Sequence, residues 1–363
     1  MVDQGIKKGF PILSTVKSLS EMPRKTGSLS KHFAETEIGA LQKDLRGRIK
    51  VALVYPNRYH IGMSNLGFQT VYRLFNNLEP VACERAFLQE PDKTASGNIR
   101  TVESSRLLSE FDIIAFSISF ENDYPNLLQI LKKAGLPLQS CERKFPHPLI
   151  IAGGVACFLN PEPISPFIDC FLIGEAEGIL PGFFSQFLKT NMGIDDDRPR
   201  FLKILAQNVP GIYVPQFFKP SYHTDGTLRS FEPTCDVPEK IERVFIKDLS
   251  QFATTSTILT PHAAFNQSFL VEVGRGCPRG CRFCSSGYVY RPPRFRPYQV
   301  LEKSLKEADL LTDKIGLIGT GISDFPEIGE LCDRLLQKDA RISFSSLRAD
   351  ALSTGLLSVL KKS

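Results

Sequence analysis

Ser268-Phe-Leu-Val-Glu-Val-Gly-Arg-Gly-Cys277-Pro-Arg-Gly-Cys281-Arg-Phe-Cys284 joins an apolar run to three closely spaced cysteines. Ser268–Val273 has the composition of a buried strand and leads straight into the cysteine loop. Thiolates at C-x3-C-x2-C spacing can hold three corners of a four-iron cluster, whereas clusters that only carry electrons usually take four thiolates. An open coordination position is what separates a catalytic metal site from a closed structural one. A zinc knuckle would need a fourth ligand close by. No cysteine follows until Cys332, and the nearest histidine, His262, lies upstream. A disulfide framework fits poorly with nine cysteines scattered mostly singly along 363 residues.

The neighbours suit such a site. Arg275, Arg279 and Arg282 surround the cysteines, and nearby positive charge favours the thiolate that binds metal. A solvated basic loop is the alternative for any one of them. Gly274, Gly276 and Gly280 let the backbone curl closely around a bulky core. Downstream, Pro297 opens a helix carrying Val300, Leu301, Leu305, Ala308 and Leu311 on one face. Strands follow at Lys314–Ile318 and Arg341–Ser345, separated by a helix over Glu327–Gln337, with a last helix over Thr354–Lys362. Cys332 sits among apolar helix neighbours and reads as core.

Upstream, short apolar runs at Lys50–Tyr55, Asp112–Ser117, Pro148–Ala152 and Asp169–Ile173 alternate with helical patterns at 66–77, around 126–134 and up to Leu188. That alternation predicts an α/β fold with a doubly wound parallel sheet, whose ligands bind at the carboxyl ends of the strands. Residues 1–47 read as a polar leader with some helix near Ala34–Leu45, and 48–192 as the α/β domain. A connector over 193–265 contains a β-hairpin turning at Asp225-Gly226 and a strand at Arg243–Ile246. Residues 266–363 begin a second α/β unit. Asp195-Asp196-Asp197 reads as a solvated loop rather than a calcium site.

The spacing C-x3-C-x-aromatic-C, with Phe283 as the aromatic residue, resembles the signature of the radical S-adenosylmethionine (SAM) superfamily. The resemblance implies a 4Fe-4S cluster on Cys277, Cys281 and Cys284, placed at the mouth of a (β/α) barrel. It implies SAM contacts from Phe283, from Gly319-Thr320-Gly321, where many relatives carry G-G-E, and from Ser346 and Arg348 in a run similar to S-L-R-x-D. It also implies reductive cleavage of SAM to a 5′-deoxyadenosyl radical. The upstream domain resembles the cobalamin-binding, Rossmann-like domain of one branch of that superfamily. On that likeness cobalamin would meet Asn57, Tyr59 and Gly62 (tyrosine standing where relatives have the cobalt-ligating histidine, with His60 one residue away). It would also meet Ser117, Ser119, Gly153, Gly154, Gly174 and Glu175. Methyl transfer through cobalamin is then a further possibility. A tRNA methylthiotransferase-like enzyme and a non-catalytic iron–sulfur or corrinoid protein are the alternatives. Cys83, Cys141, Cys157 and Cys170 do not match the second cysteine triad of the former.

Lys+Arg of 44 against Asp+Glu of 39 leaves a formal charge of +5, too small and diffuse to indicate a nucleic-acid surface. No run of ~18 apolar residues suggests a membrane span. A cytoplasmic protein is expected, reduced by a flavodoxin or ferredoxin and acting on a substrate the sequence does not name. From Cys277 there is room for about three strand–helix units, so the sequence is expected to hold the first half of the barrel. A second chain would be one way to complete it.

Overall fold

A computed structural model describes residues 29–89, 97–190 and 197–362. Most of the expected leader, and Asp195 and Asp196, lie outside the described residues. Asp197 caps the helix Arg198–Asn208, its carboxylate accepting from the Arg200 amide at 3.0 Å.

The larger sheet contains β1 (Ile49–Tyr55), β2 (Val81–Phe87), β3 (Ile113–Ser117), β4 (Leu149–Gly153), β5 (Cys170–Leu172) and β6 (Ile212–Tyr213). Their order is β2-β1-β3-β4-β5-β6, with β1 to β5 parallel and β6 antiparallel to β5. Parallel strands need both faces covered, which is why these runs are apolar nearly throughout. One face packs Phe68, Tyr72 and Phe75 with Phe183, Phe187 and Phe201, from helices Leu66–Asn77, Ala176–Lys189 and Arg198–Asn208. The other takes Leu127, Ile130 and Leu131 from helix Tyr124–Lys133. Each of these buried side chains contributes roughly 1.5–3 kcal/mol of apolar transfer.

β2 is absent from the sequence reading. Its sequence, Val-Ala-Cys-Glu-Arg-Ala-Phe, carries two adjacent charges, yet all seven residues are buried. Arg85 pairs with Glu37 and Glu103, each at 2.7 Å, and lies over the Tyr72 ring. Glu84 accepts from Thr101 and Ser104, each at 2.6 Å. Another difference lies at the start of the described chain. The helix is Leu29–Thr36, while Leu41 is held extended by Tyr72, whose hydroxyl donates to its carbonyl at 2.6 Å.

The expected hairpin forms from β7 (Phe218–Tyr222) and β8 (Leu228–Pro233). Beyond it come β9 (Phe269–Glu272), β10 (Gly274–Arg275), β11 (Arg294–Phe295), β12 (Lys314–Ile318) and β13 (Arg341–Phe344). A parallel sheet in the order β13-β12-β9 packs on Leu301, Leu305, Leu331, Leu335 and Val359. The connector runs along the other edge of β9: Ser256 donates its amide to the Leu270 carbonyl and Glu272 to that of Thr254, both at 2.9 Å. The strand expected at Arg243–Ile246 is reduced to one bridge, Val244 beside Gly174. The chain is therefore a mixed α/β protein dominated by parallel sheet. Among the described residues no helix is long and apolar enough to cross a membrane.

Candidate functional site

All three cysteines of the opening motif lie in one loop, between β10 and β11. These two short strands make an antiparallel ladder, Gly274 opposite Phe295 and Arg275 opposite Arg294, which closes the loop's neck. Gly276, at φ +91°, lets the neck shut: a Cβ there would stand 2.2 Å from the Tyr290 carbonyl and 2.6 Å from that of Pro292. Cys281 is exposed, Cys277 and Cys284 are half-buried, and all three are free thiols. Hydrogen bonds from the Ser286 amide and hydroxyl hold the Cys284 thiol below its ordinary pKa. Phe283 is 93% exposed, so its ring is open to a partner rather than part of the core. Among the described residues no three Cys, His, Asp or Glu side chains converge to hold a metal. The loop supplies the donor chemistry of a three-thiolate site, not a closed cage.

The ends of β12 and β13 come up to this loop. Thr320 donates its hydroxyl to the Gly276 carbonyl at 2.6 Å, one residue before Cys277. Ser345 bonds both the amide and the carbonyl of Gly319 at 3.0 Å. Asp324 takes Arg279 from the cysteine loop at 3.3 Å and also pairs with Arg348. Its second oxygen is buried with no hydrogen-bond partner among the described residues. The structure thus gathers Cys277, Gly319, Thr320, Gly321 and Arg348 at one mouth, with Asp324 between them. Ser346 is exposed on the same turn.

Arg275 behaves differently from the sequence expectation. Its guanidinium meets three carboxylates: Glu272 at 2.9 Å, Glu177 at 2.6 Å and Glu175 at 3.1 Å. Burial opposes its charge, and Glu272 and Glu177 outweigh that, raising its pKa. The charge expected to act on the thiols is therefore paired with three carboxylates. Arg294, directly across the ladder, is held by both oxygens of Glu175, at 2.7 and 3.2 Å. Burial pushes the Glu175 carboxyl up, but Arg294 and Arg275 prevail and leave it below its ordinary pKa. Thr254 bridges Arg275 at 3.1 Å and Arg296 at 2.7 Å, and Arg296 also pairs with Glu272. Glu177, Glu272, Thr254 and Arg294 are not among the site residues expected from the sequence. Glu272 lies three residues before Arg275 and Arg294 opposite it in the ladder, whereas Glu177 and Thr254 reach it only through the fold.

The residues that the resemblance implies for cobalamin are engaged by the protein itself. Tyr59 is buried, stacked on Phe33 at 4.1 Å, and donates to Glu37 at 2.5 Å. Asn57 donates to Asp123 at 2.8 Å, and Ser119 accepts from Asn65 at 3.0 Å. A Cβ on Gly62 would meet the Phe87 ring at 2.5 Å, one on Gly154 the Ile118 carbonyl at 2.2 Å, and one on Gly174 the Val244 carbonyl at 2.4 Å. Ser117 and Gly153 pair at the ends of β3 and β4. Gly62, Gly154 and Gly174 thus close on the chain's own backbone and on the Phe87 ring, and Glu175 is claimed by arginines. These residues do not fit cobalamin.

Residues 67–215 match the family model described as radical SAM proteins, N-terminal, and residues 271–354 match that of the radical SAM superfamily. The chain carries both radical SAM domains. The second match begins in β9 and spans the cysteine loop, β12 and β13. An uncharacterised protein of Methanocaldococcus jannaschii is 30% identical over 315 residues. That alignment covers 86% of this chain and 58% of the relative, so the chain spans under two thirds of the length of the curated relative it matches. Neither radical SAM match describes a cobalamin domain.

Proposed function

We propose that this chain is a radical SAM enzyme whose Cys277, Cys281 and Cys284 hold a 4Fe-4S cluster and whose β12 and β13 ends receive SAM. The observation that carries this is the three-thiol loop set, within the radical SAM match, against the carboxyl ends of parallel strands. That is the catalytic face of α/β barrels. With cluster and SAM bound, one electron from a reductant such as a flavodoxin or ferredoxin cleaves SAM to methionine and a 5′-deoxyadenosyl radical. The chain's own residues bind and orient. Thr320 ties the β12 end to the loop. Asp324, three residues after Gly321, offers a carboxylate near where relatives use the glutamate of G-G-E, its second oxygen lying against Gly321. Gly319, Gly321, Ser346 and Arg348 complete the polar rim, and Phe283 offers an apolar face. Cobalamin has no part in this reading, because its expected residues are otherwise engaged.

The buried state of Cys83, Cys157 and Cys170, whose thiols are pushed up by desolvation, supports one cysteine-held cluster rather than the two of a methylthiotransferase. Anaerobic reconstitution of the protein with iron and sulfide, then SAM and dithionite, tests the proposal. 5′-Deoxyadenosine is the expected product, and its absence from cluster-loaded protein overturns the reading. Cys281→Ala should abolish the thiolate-to-iron absorbance near ~400 nm.

A further inference from the structure

The neck of the cysteine loop poses an electrostatic problem that its own strands solve only in part. Arg275 and Arg294 stand directly opposite each other in the β10–β11 ladder, and like charges in that position repel. The ladder is only two residue pairs long, extended by one bond from the Arg296 amide to the Val273 carbonyl at 2.9 Å, and an isolated two-stranded ladder is marginal in water. Glu272, three residues before Arg275, takes its Nε with both oxygens at 2.9 Å and also pairs with Arg296. The carboxylates that reach Arg294 and the rest of the Arg275 guanidinium come from beyond β5. Glu175 and Glu177 open the helix Ala176–Lys189 that follows β5. Glu175 accepts from Arg275 at 3.1 Å and from Arg294 at 2.7 Å, spanning the neck, and takes the Ile246 amide at 2.8 Å. Glu177 holds the far side of Arg275 at 2.6 Å. Both glutamates are buried, so their pairing is only weakly screened by salt.

We propose that the Gly174-Glu175-Ala176-Glu177 element is a brace for the cysteine loop, with Glu175 and Glu177 as positioning residues for whatever the three cysteines hold. Gly174 lets the backbone approach Val244 closely enough to place Glu175 at the neck, its amide pairing with the Val244 carbonyl at 2.9 Å. The brace acts through Arg275, two residues before Cys277. It touches neither thiols nor substrate. Its work is to keep the loop's two stems together while the thiols wrap a metal cluster, and to set the charge behind that cluster.

The inference rests on the cluster assignment above, and its test separates the two. Full-length wild-type, Glu175→Gln and Glu177→Gln proteins are reconstituted anaerobically with iron and sulfide. Iron retained on gel filtration, the electron paramagnetic resonance spectrum of the reduced cluster, its midpoint potential and the Tm are then measured. Wild-type protein that holds no cluster refutes the cluster assignment itself, and the brace with it. Given a loaded wild type, Glu175→Gln should retain the cluster about 10-fold less well, with an altered spectrum and a shifted potential. Glu177→Gln, which leaves the span across the neck intact, should show a smaller change of the same kind. Glu175→Asp should recover part of the loss. Unchanged retention, spectrum and potential in both glutamine variants overturn the brace while leaving the cluster assignment standing. If Glu175→Gln unfolds and Glu177→Gln holds a wild-type cluster, the carboxylates serve domain stability alone, and the proposal fails equally.

Discussion

Two buried arginines organise this molecule in opposite ways. Arg85 lies in the middle of β2, with Glu37 from the segment before β1 and Glu103 from the loop after β2 closing on it, all three side chains no more than 4% exposed. Arg275 lies at the seam between two sheets, and its partners Glu175 and Glu177 come from the far side. The first triad is closed: one cation and two carboxylates, with Tyr72 against the guanidinium. The second remains open. Arg294 and Arg243 crowd Glu175, Arg296 pairs with Glu272 beside it, and the Arg243 Nη1 and Arg296 Nε atoms have no hydrogen-bond partner among the described residues. A closed triad serves a core. An open one at a seam, two residues from Cys277, suits the proposed site.

Removing Arg85 should break the comparison most forcefully. Arg85→Met leaves two buried carboxylates unpaired, which costs about 3–5 kcal/mol, measured as a fall in urea midpoint. Loss of cluster binding with unchanged stability would erase the distinction drawn between the two arginines. Gly174→Ala strains the seam instead. Its Cβ would lie 2.4 Å from the Val244 carbonyl, on a backbone at φ +147°, a cost of about 1–3 kcal/mol. Iron should then be lost at temperatures below global melting, whereas coincident loss would place the strain in the core.

Acid sharpens the difference with a smaller effect. The folded pKa of Glu175 lies below its ordinary 4.5. Its linked stabilisation is therefore complete above that value and is lost as pH falls through the folded pKa. Arg275, Arg294 and Arg243 face it, with the Ile246 amide, and none of these loses charge in that range. Protease cleavage within the loop should rise below about pH 4.5 before far-UV circular dichroism changes. Glu175→Gln should abolish that step. At the small end, Arg46→Ala removes an ion pair whose arginine is 92% exposed, and neither Tm nor cluster retention should move.

Much of the fold was legible because it follows from local patterns. The runs at β1, β3, β4, β5, β9 and β12 are largely apolar, that at β13 alternates polar and apolar residues, and each became a parallel strand close to its expected limits. β2 escaped because a Glu-Arg pair in mid-strand reads as exposed loop. Burial of those charges depends on Glu37, Glu103, Thr101 and Ser104, which no window around Glu84 contains. Gly154 and Gly174 were expected, on the resemblance, to face cobalamin. What approaches them is the chain's own backbone at Ile118 and Val244, a distinction that glycine alone does not encode.

By itself the sequence determined the chemistry on offer: three thiols in eight residues after a buried strand, glycines to turn the loop, and two parallel α/β units to carry it. Those are properties of residue type and short-range spacing, and they hold wherever the chain goes. Only the tertiary structure decided what each charge does. Arg275 faces Glu175, a hundred residues away, because β5 and β9 belong to sheets that pack across a common seam. Charge–charge energy falls with distance and rises with burial. Its sign at any residue is written in the sequence, but its effect is set by which opposite charge the fold brings within reach.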